Sequence, residues 1–318
     1  MNATGAWSAR ARAPVSFAMK VLLFVACLAC QPLTMSGQSN PILRGADPDV
    51  LLVDGTFWLY STGARGRFYV HSSTNLDSWE RHGPILDFAE VPWIPDGKHP
   101  WAPGVIQHQG RFYFYFSCGP KPSFIGVAVA DHPAGPFVDS GRPLLQDNGD
   151  PGFEAIDAMV FRDPASGRVF LYCGGSAGSR LRVFEMNDDL LGFAREIEVE
   201  TPRHFTEGAY LHRANRRYYL SYSHGSYRHA SYSVHYATGE SPVGPWEYQG
   251  RILSSNDTYK GPGHHSFLHL PVTDEWLVFY HRYEDESGDG PYRSPRQIAV
   301  ERIRYLEDGR IAPIVMTP

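Results

Sequence analysis

Apolar and aromatic residues run along this chain in short blocks, and five of those blocks follow directly on a polar turn. The five turn-and-strand segments span Asp54–Tyr60, Gln109–Tyr115, Ser166–Tyr172, Asn215–Ser221 and Thr273–Phe279, with starts 55, 57, 49 and 58 residues apart. A shorter apolar run precedes each turn, as in Val50-Leu51-Leu52-Val53 and Met159-Val160-Phe161. Run, polar turn and aromatic run together predict a β-hairpin. Most units then carry a third run, such as Phe68–Ser72 or Ile125–Ala130. A Pro/Gly turn and a short fourth strand follow, as in Gly135-Pro136-Phe137 and Gly244–Tyr248. Four strands repeated five times at this period predict an all-β fold, a five-bladed β-propeller. A β-sandwich with chance likeness between its hairpins is the competing architecture. The regular period and the lack of helical periodicity favour the propeller.

Composition narrows the picture. With 318 residues, 42% hydrophobic and 14% aromatic, the chain can bury a large core in one domain. A net charge of −5 offers no basic patch for nucleic acid. The one long apolar run, Val21–Ala29, follows Lys20 and is too short to span a bilayer. Positive charge, apolar run and small residues in that order read as a secretory signal. Residues 1–38 are therefore expected to be signal peptide and flexible N-terminus, with Met19 as an alternative start, and residues 39–318 a single catalytic propeller. Cys30 is a candidate lipid acceptor, although Cys27 stands where a leucine is usual three residues earlier. An exported monomer is expected, periplasmic, outer-membrane-anchored or extracellular. Cys118 and Cys173 end the aromatic strands of adjacent units, too far apart for a disulfide, and are read as free and buried.

The first strand of a propeller blade lines the central channel, so residues just before the first strands should converge at one mouth. Counting back seven to nine residues from the five turn starts gives Asp47, Trp101, Asp157, Glu207 and His264. Three of the five are carboxylates. Crowded, partly desolvated acids titrate apart from one another, and one acid paired with one carboxylate is the equipment of glycoside hydrolysis. Asp47 before Pro48 also fits a plain turn former, whereas Asp157 between apolar neighbours is costly unless satisfied. Asp49, Glu154 and Asp163 lie nearby as decoys, Asp163-Pro164 beginning a turn and Glu154 standing three residues out of register. Trp101 suits stacking on a sugar face or packing beside Ala102-Pro103. Trp93, Phe153 and Phe205 are candidate pocket walls. The long loop from Phe88 to Pro100 would close one end of a cleft and favour removal of single terminal sugars.

At these residues the chain resembles glycoside hydrolase family 43, from about Asn40 to Ile314. The matching stretches are Ala46-Asp47-Pro48, Trp101-Ala102-Pro103, Ile156-Asp157, Glu207-Gly208 with Tyr218-Tyr219-Leu220, and Gly261–Ser266. The resemblance implies an inverting hydrolase with Asp47 as general base, Glu207 as general acid and Asp157 tuning and orienting the acid. His264 matches an axial histidine that binds calcium, through water, in some members. A hydrogen-bonded histidine without metal is the alternative, since calcium prefers oxygen ligands. Arg296 matches a late arginine that lowers a carboxylate pKa or binds a sugar hydroxyl, a surface arginine being the alternative. No cofactor is required, with a structural calcium ion in the channel as an option. The expected activity is exo-acting release of α-L-arabinofuranosyl residues from an arabinose- or xylose-containing plant glycan. β-D-Xylosidase and endo-arabinanase are the alternatives within the family, and a non-catalytic carbohydrate-binding propeller lies outside it.

Overall fold

A computed structural model of the chain describes residue 1 and residues 39–318, apart from residue 177. The expected signal peptide and Cys30 fall outside the described residues. Each repeat becomes one blade. The first blade holds Asp49–Val53, Thr56–Tyr60, Arg67–Ser73 and Glu80–Asp87. The second holds His99–His108, Arg111–Gly119 and Phe124–Ala130, with Val138–Asp139 and Leu145–Gln146 on its outer edge. Met159–Arg162, Val169–Cys173, Arg182–Met186 and Phe193–Ile197 make the third, and Glu207–Ala214, Arg217–His224, Ser233–Gly239 and Glu247–Ser254 the fourth. The first strands of successive blades touch in a closed ring around the axis.

The hairpin turns are of the kind the sequence predicts. Asp54-Gly55, Gln109-Gly110 and Asn215-Arg216 each pair two residues of positive φ, the type I′ pattern whose twist matches the flanking strands. The strands that follow are rich in aromatic residues because both faces are buried. Trp58 and Tyr60 pack on Phe112, Phe114 and Phe116 of the second blade, while Phe57 and Leu59 pack on Leu277 and Phe279 of the fifth. Tyr60, Tyr115 and Tyr172 stand at one repeat position, and each hydroxyl donates to a carbonyl of the next blade, that of Pro133, Leu190 or Pro242. Cys118 and Cys173 are free and buried.

The fifth blade departs from the repeat. It holds Lys260–Leu270, Glu275–Tyr283 and Gln297–Ile303, and its outer strand is Leu43–Arg44 from the other end of the domain. Leu43 pairs with Ile298 and Arg44 with Gln297, which closes the ring three residues before Asp47.

Candidate active site

Five left-handed residues mark one mouth of the channel. Asp47 (φ 56°), Ala102 (31°), Asp157 (60°), Gly208 (60°) and His264 (42°) occupy equivalent places at the starts of the five first strands. Non-glycine residues rarely adopt this conformation, and four of the five here are not glycine. All five residues counted back from the turns line the cavity, with Trp101 and Glu207 one residue before the left-handed position of their blades. The ladder register shifts beside Trp101, Glu207 and His264.

The amide of each left-handed residue leaves the regular ladder and needs another acceptor. The acceptor comes from the preceding blade, in four of the five cases at the eighth residue after its turn start. Thr62 Oγ1 accepts from Ala102 N–H at 2.9 Å, Ser117 Oγ from Asp157 N–H at 2.9 Å, and Ser223 Oγ from His264 N–H at 2.8 Å. His281 Nδ1 accepts from Asp47 N–H at 3.3 Å and thereby closes the circle from the fifth blade to the first. The third blade has Gly174 at that place, and Asp157 Oδ2 accepts from Gly208 N–H instead, at 3.1 Å. The adjoining Gly175 leaves room for the acid, since a Cβ on it would lie 2.6 Å from Glu207 Cβ. Sequence reasoning missed this second repeat. Its signal is plain in hindsight: Thr, Ser, Gly, Ser and His recur at one offset from the turns.

Asp47, Asp157 and Glu207 line one cavity of about 220 Å³ with Trp101, Glu154, Ser176, Tyr227, His264 and Arg296. Their surroundings differ in charge. Burial raises the Asp47 carboxyl, but Arg296 and then His264 lead the charges that outweigh it and hold Asp47 well below the usual carboxylate range. Arg296 Nη1 donates to Asp47 Oδ1 at 2.9 Å, and Thr62 Oγ1 donates to Oδ2. Asp157 is pushed well above that range by burial, then by Glu207 and Asp47. Glu207 accepts from Tyr232 Oη at 2.8 Å on one oxygen and from Ser176 Oγ at 3.0 Å on the other. His264 Nδ1 lies 3.5 Å from Asp47 and 3.7 Å from Asp157. Asp47 is therefore easier to ionise than an ordinary carboxyl and Asp157 harder, the separation of titrations that acid–base cleavage of an acetal uses.

Trp101 sits in the cavity against Gly119, where any Cβ would meet its ring at 1.9 Å. Trp93 and Phe205, expected at the pocket, are not among its lining residues. Trp93 packs on Phe116 and donates from Nε1 to Asp139 at 2.8 Å, and Phe205 is buried against Tyr222. Phe153 is likewise core. Each lies in the loop before a first strand, but the apolar interface between blades takes it up. Tyr227, which the sequence did not single out, lies over the Arg296 guanidinium at 5.2 Å and completes the rim. A directly held calcium does not fit the residues present. Among the described residues no three His, Cys, Asp or Glu side chains are placed to hold a metal, and both Asp49 oxygens in the channel accept backbone N–H groups. No step below uses such an ion.

The model of glycosyl hydrolases family 43 matches residues 38–311. The chain belongs to that family. It is a glycoside hydrolase, and carbohydrate is its substrate class. It is 32% identical over 300 residues to the Beta-D-galactofuranosidase xynD of Aspergillus niger, covering 87% of this chain and 85% of that protein. Among solved structures, a thermostable family-43 glycoside hydrolase superposes with a TM-score of 0.76 at 29% identity, over 88% of this chain and 96% of that one. A GH43 beta-xylosidase/alpha-arabinofuranosidase from a compost microbial metagenome, in complex with xylotriose and in its calcium-free form, gives 0.70 at 28% identity over 86% and 94%.

Proposed function

We propose that the protein is an inverting, exo-acting hydrolase of terminal furanosides, with α-L-arabinofuranosyl residues of plant glycans as its substrates. The observation that carries this reading is a single cavity lined by Asp47, Asp157 and Glu207 beside Trp101 and Arg296, with the Asp47 carboxyl held low and the Asp157 carboxyl pushed up. Asp47 takes a proton from a water that attacks the anomeric carbon. Glu207, oriented by Tyr232 and Ser176, gives a proton to the departing oxygen. Asp157 fixes the backbone beside the acid through Gly208 N–H. Trp101 stacks on the sugar. The cavity is below the roughly 300–1,000 Å³ of clefts that take larger ligands, which supports cleavage of one terminal residue at a time. Export ahead of action is part of the proposal, on the strength of the Lys20–Ala29 pattern.

A β-D-galactofuranosyl group is the second reading. Its ring has the configuration of α-L-arabinofuranose with a longer exocyclic arm, and the Aspergillus niger relative supports it. Hydrolysis of p-nitrophenyl α-L-arabinofuranoside, β-D-galactofuranoside and β-D-xylopyranoside separates these readings. Either furanoside should be cleaved at least tenfold faster than the xyloside, with the inverted anomer appearing first by proton NMR. Asp47→Ala and Glu207→Ala should each lower kcat by about 10²–10⁴-fold. Cleavage of the xyloside alone overturns the furanoside assignment, and full activity of Glu207→Ala overturns the acid.

A further inference from the structure

Glu154 belongs to none of the five equivalent positions, yet it lines the same cavity as the three register carboxylates. It lies in the strand-free stretch between Leu145–Gln146 and Met159–Arg162 and is 8% exposed. A carboxylate so buried is expensive unless its oxygens are occupied. One is: Ser123 Oγ donates to Oε1 at 2.8 Å, and Ser123 is itself fully buried. The other oxygen has no hydrogen-bond partner among the described residues.

The surroundings hold Glu154 in place. Ser123 N–H donates to Asp147 Oδ2 at 2.7 Å, with Asp147 also buried. Lys121 Nζ donates to the carbonyls of Asp150 and Phe153 at 2.9 and 2.8 Å, the second of these adjoining Glu154. Burial keeps the Glu154 carboxyl above the ordinary glutamate range, with Ser123 and Lys121 opposing that rise and Asp147 and Glu207 adding to it. The repeat does not need this acid, the ladder does not use it, and one of its oxygens is left for something that enters the cavity.

We propose that Glu154 is a specificity-determining residue whose unpartnered oxygen accepts hydroxyl hydrogens of the bound glycon. The assignment rests on the furanoside reading above. The hydroxyls belong either to the furanose ring, common to both candidate sugars, or to the exocyclic diol that only galactofuranose carries. Charge-assisted hydrogen bonds of this kind favour a ligand that supplies the donors and penalise one that lacks them.

Steady-state kinetics of full-chain Glu154→Gln and Glu154→Ala on the same three p-nitrophenyl glycosides test it. KM for the glycoside that the wild type cleaves best should rise about 10- to 100-fold while kcat changes less than about threefold. A rise for both furanosides assigns the contact to ring hydroxyls, and a rise for the galactofuranoside alone assigns it to the diol. Ser123→Ala, which loosens the acid without removing it, should give a smaller rise in KM. An unchanged KM in Glu154→Gln overturns the proposal, as does a loss confined to kcat with a lowered melting temperature, the mark of a structural acid. If the wild type cleaves only the xyloside, the furanoside reading falls by itself, and KM for the xyloside still judges Glu154.

Discussion

Gly175 stands against Glu207 so closely that a methyl group on the glycine would lie 2.6 Å from the glutamate Cβ. In the other four blades a side chain close to this point accepts the amide of the next blade. Here the third blade gives up that side chain and the space goes to the acid. Gly175→Ala should therefore displace Glu207 rather than unfold the blade. We expect kcat to fall about 100-fold, the effect of misplacing a reacting group by about 1 Å, with a melting temperature within a few degrees of wild type. Wild-type kcat in the alanine variant would show that the glycine has no bearing on the acid.

Arg296 and Asp47 predict a pH effect with a definite sign. The base works ionised, so activity is lost as pH falls through the Asp47 pKa, which Arg296 and then His264 hold down. Removing the guanidinium raises that pKa and moves the loss to higher pH. The acidic limb of kcat/KM for Arg296→Gln should shift upward by about one to three units. A limb that does not move would exclude Asp47 as the group it reports.

His281 is fully buried, and its Nε2 has no partner among the described residues. Burial, followed by Arg296, pulls its pKa down to about 4, so the ring is neutral and Nδ1 is free to accept from Asp47 N–H. His281→Phe keeps a ring beside Tyr232, removes one unpaired N–H and orphans another, each worth about 1–3 kcal/mol. The two nearly cancel in stability but not in catalysis. Calorimetry should show little change in melting temperature while kcat falls at least tenfold.

The thiols of Cys118 and Cys173 are raised far above the ordinary range by burial. Neither should react with a thiol-specific dye in the native protein, and both should react in denaturant. Fast labelling without denaturant would mean that the second or third blade opens locally.

The architecture was legible because hairpin turns are local: Asp54-Gly55 and Gln109-Gly110 declare themselves within two residues. The positions of Asp47, Asp157 and His264 followed by counting. Trp101 and Glu207 followed by the same counting, but the left-handed residues next to them, Ala102 and Gly208, did not show in the sequence because a bulge depends on the neighbouring strand. Trp93 and Phe205 misled because a large apolar side chain in a loop looks the same whether it faces a sugar or another blade. Glu154 was set aside for being out of register, although a cavity wall need not follow the repeat. Leu43–Arg44 was invisible as a strand, since two residues carry no periodicity and their partner lies more than 250 positions away.

That short strand ties the chemistry to completion of the chain. Asp47 is among the first residues of the domain to be synthesised, while its two partners, His281 and Arg296, arrive 234 and 249 residues later. Until the last blade has formed and the N-terminal strand has docked on it, the nascent protein carries a base that nothing aims. A ring that springs open at this seam would lose hydrolysis while four blades still stand, so turnover is a gauge of ring integrity as well as of substrate.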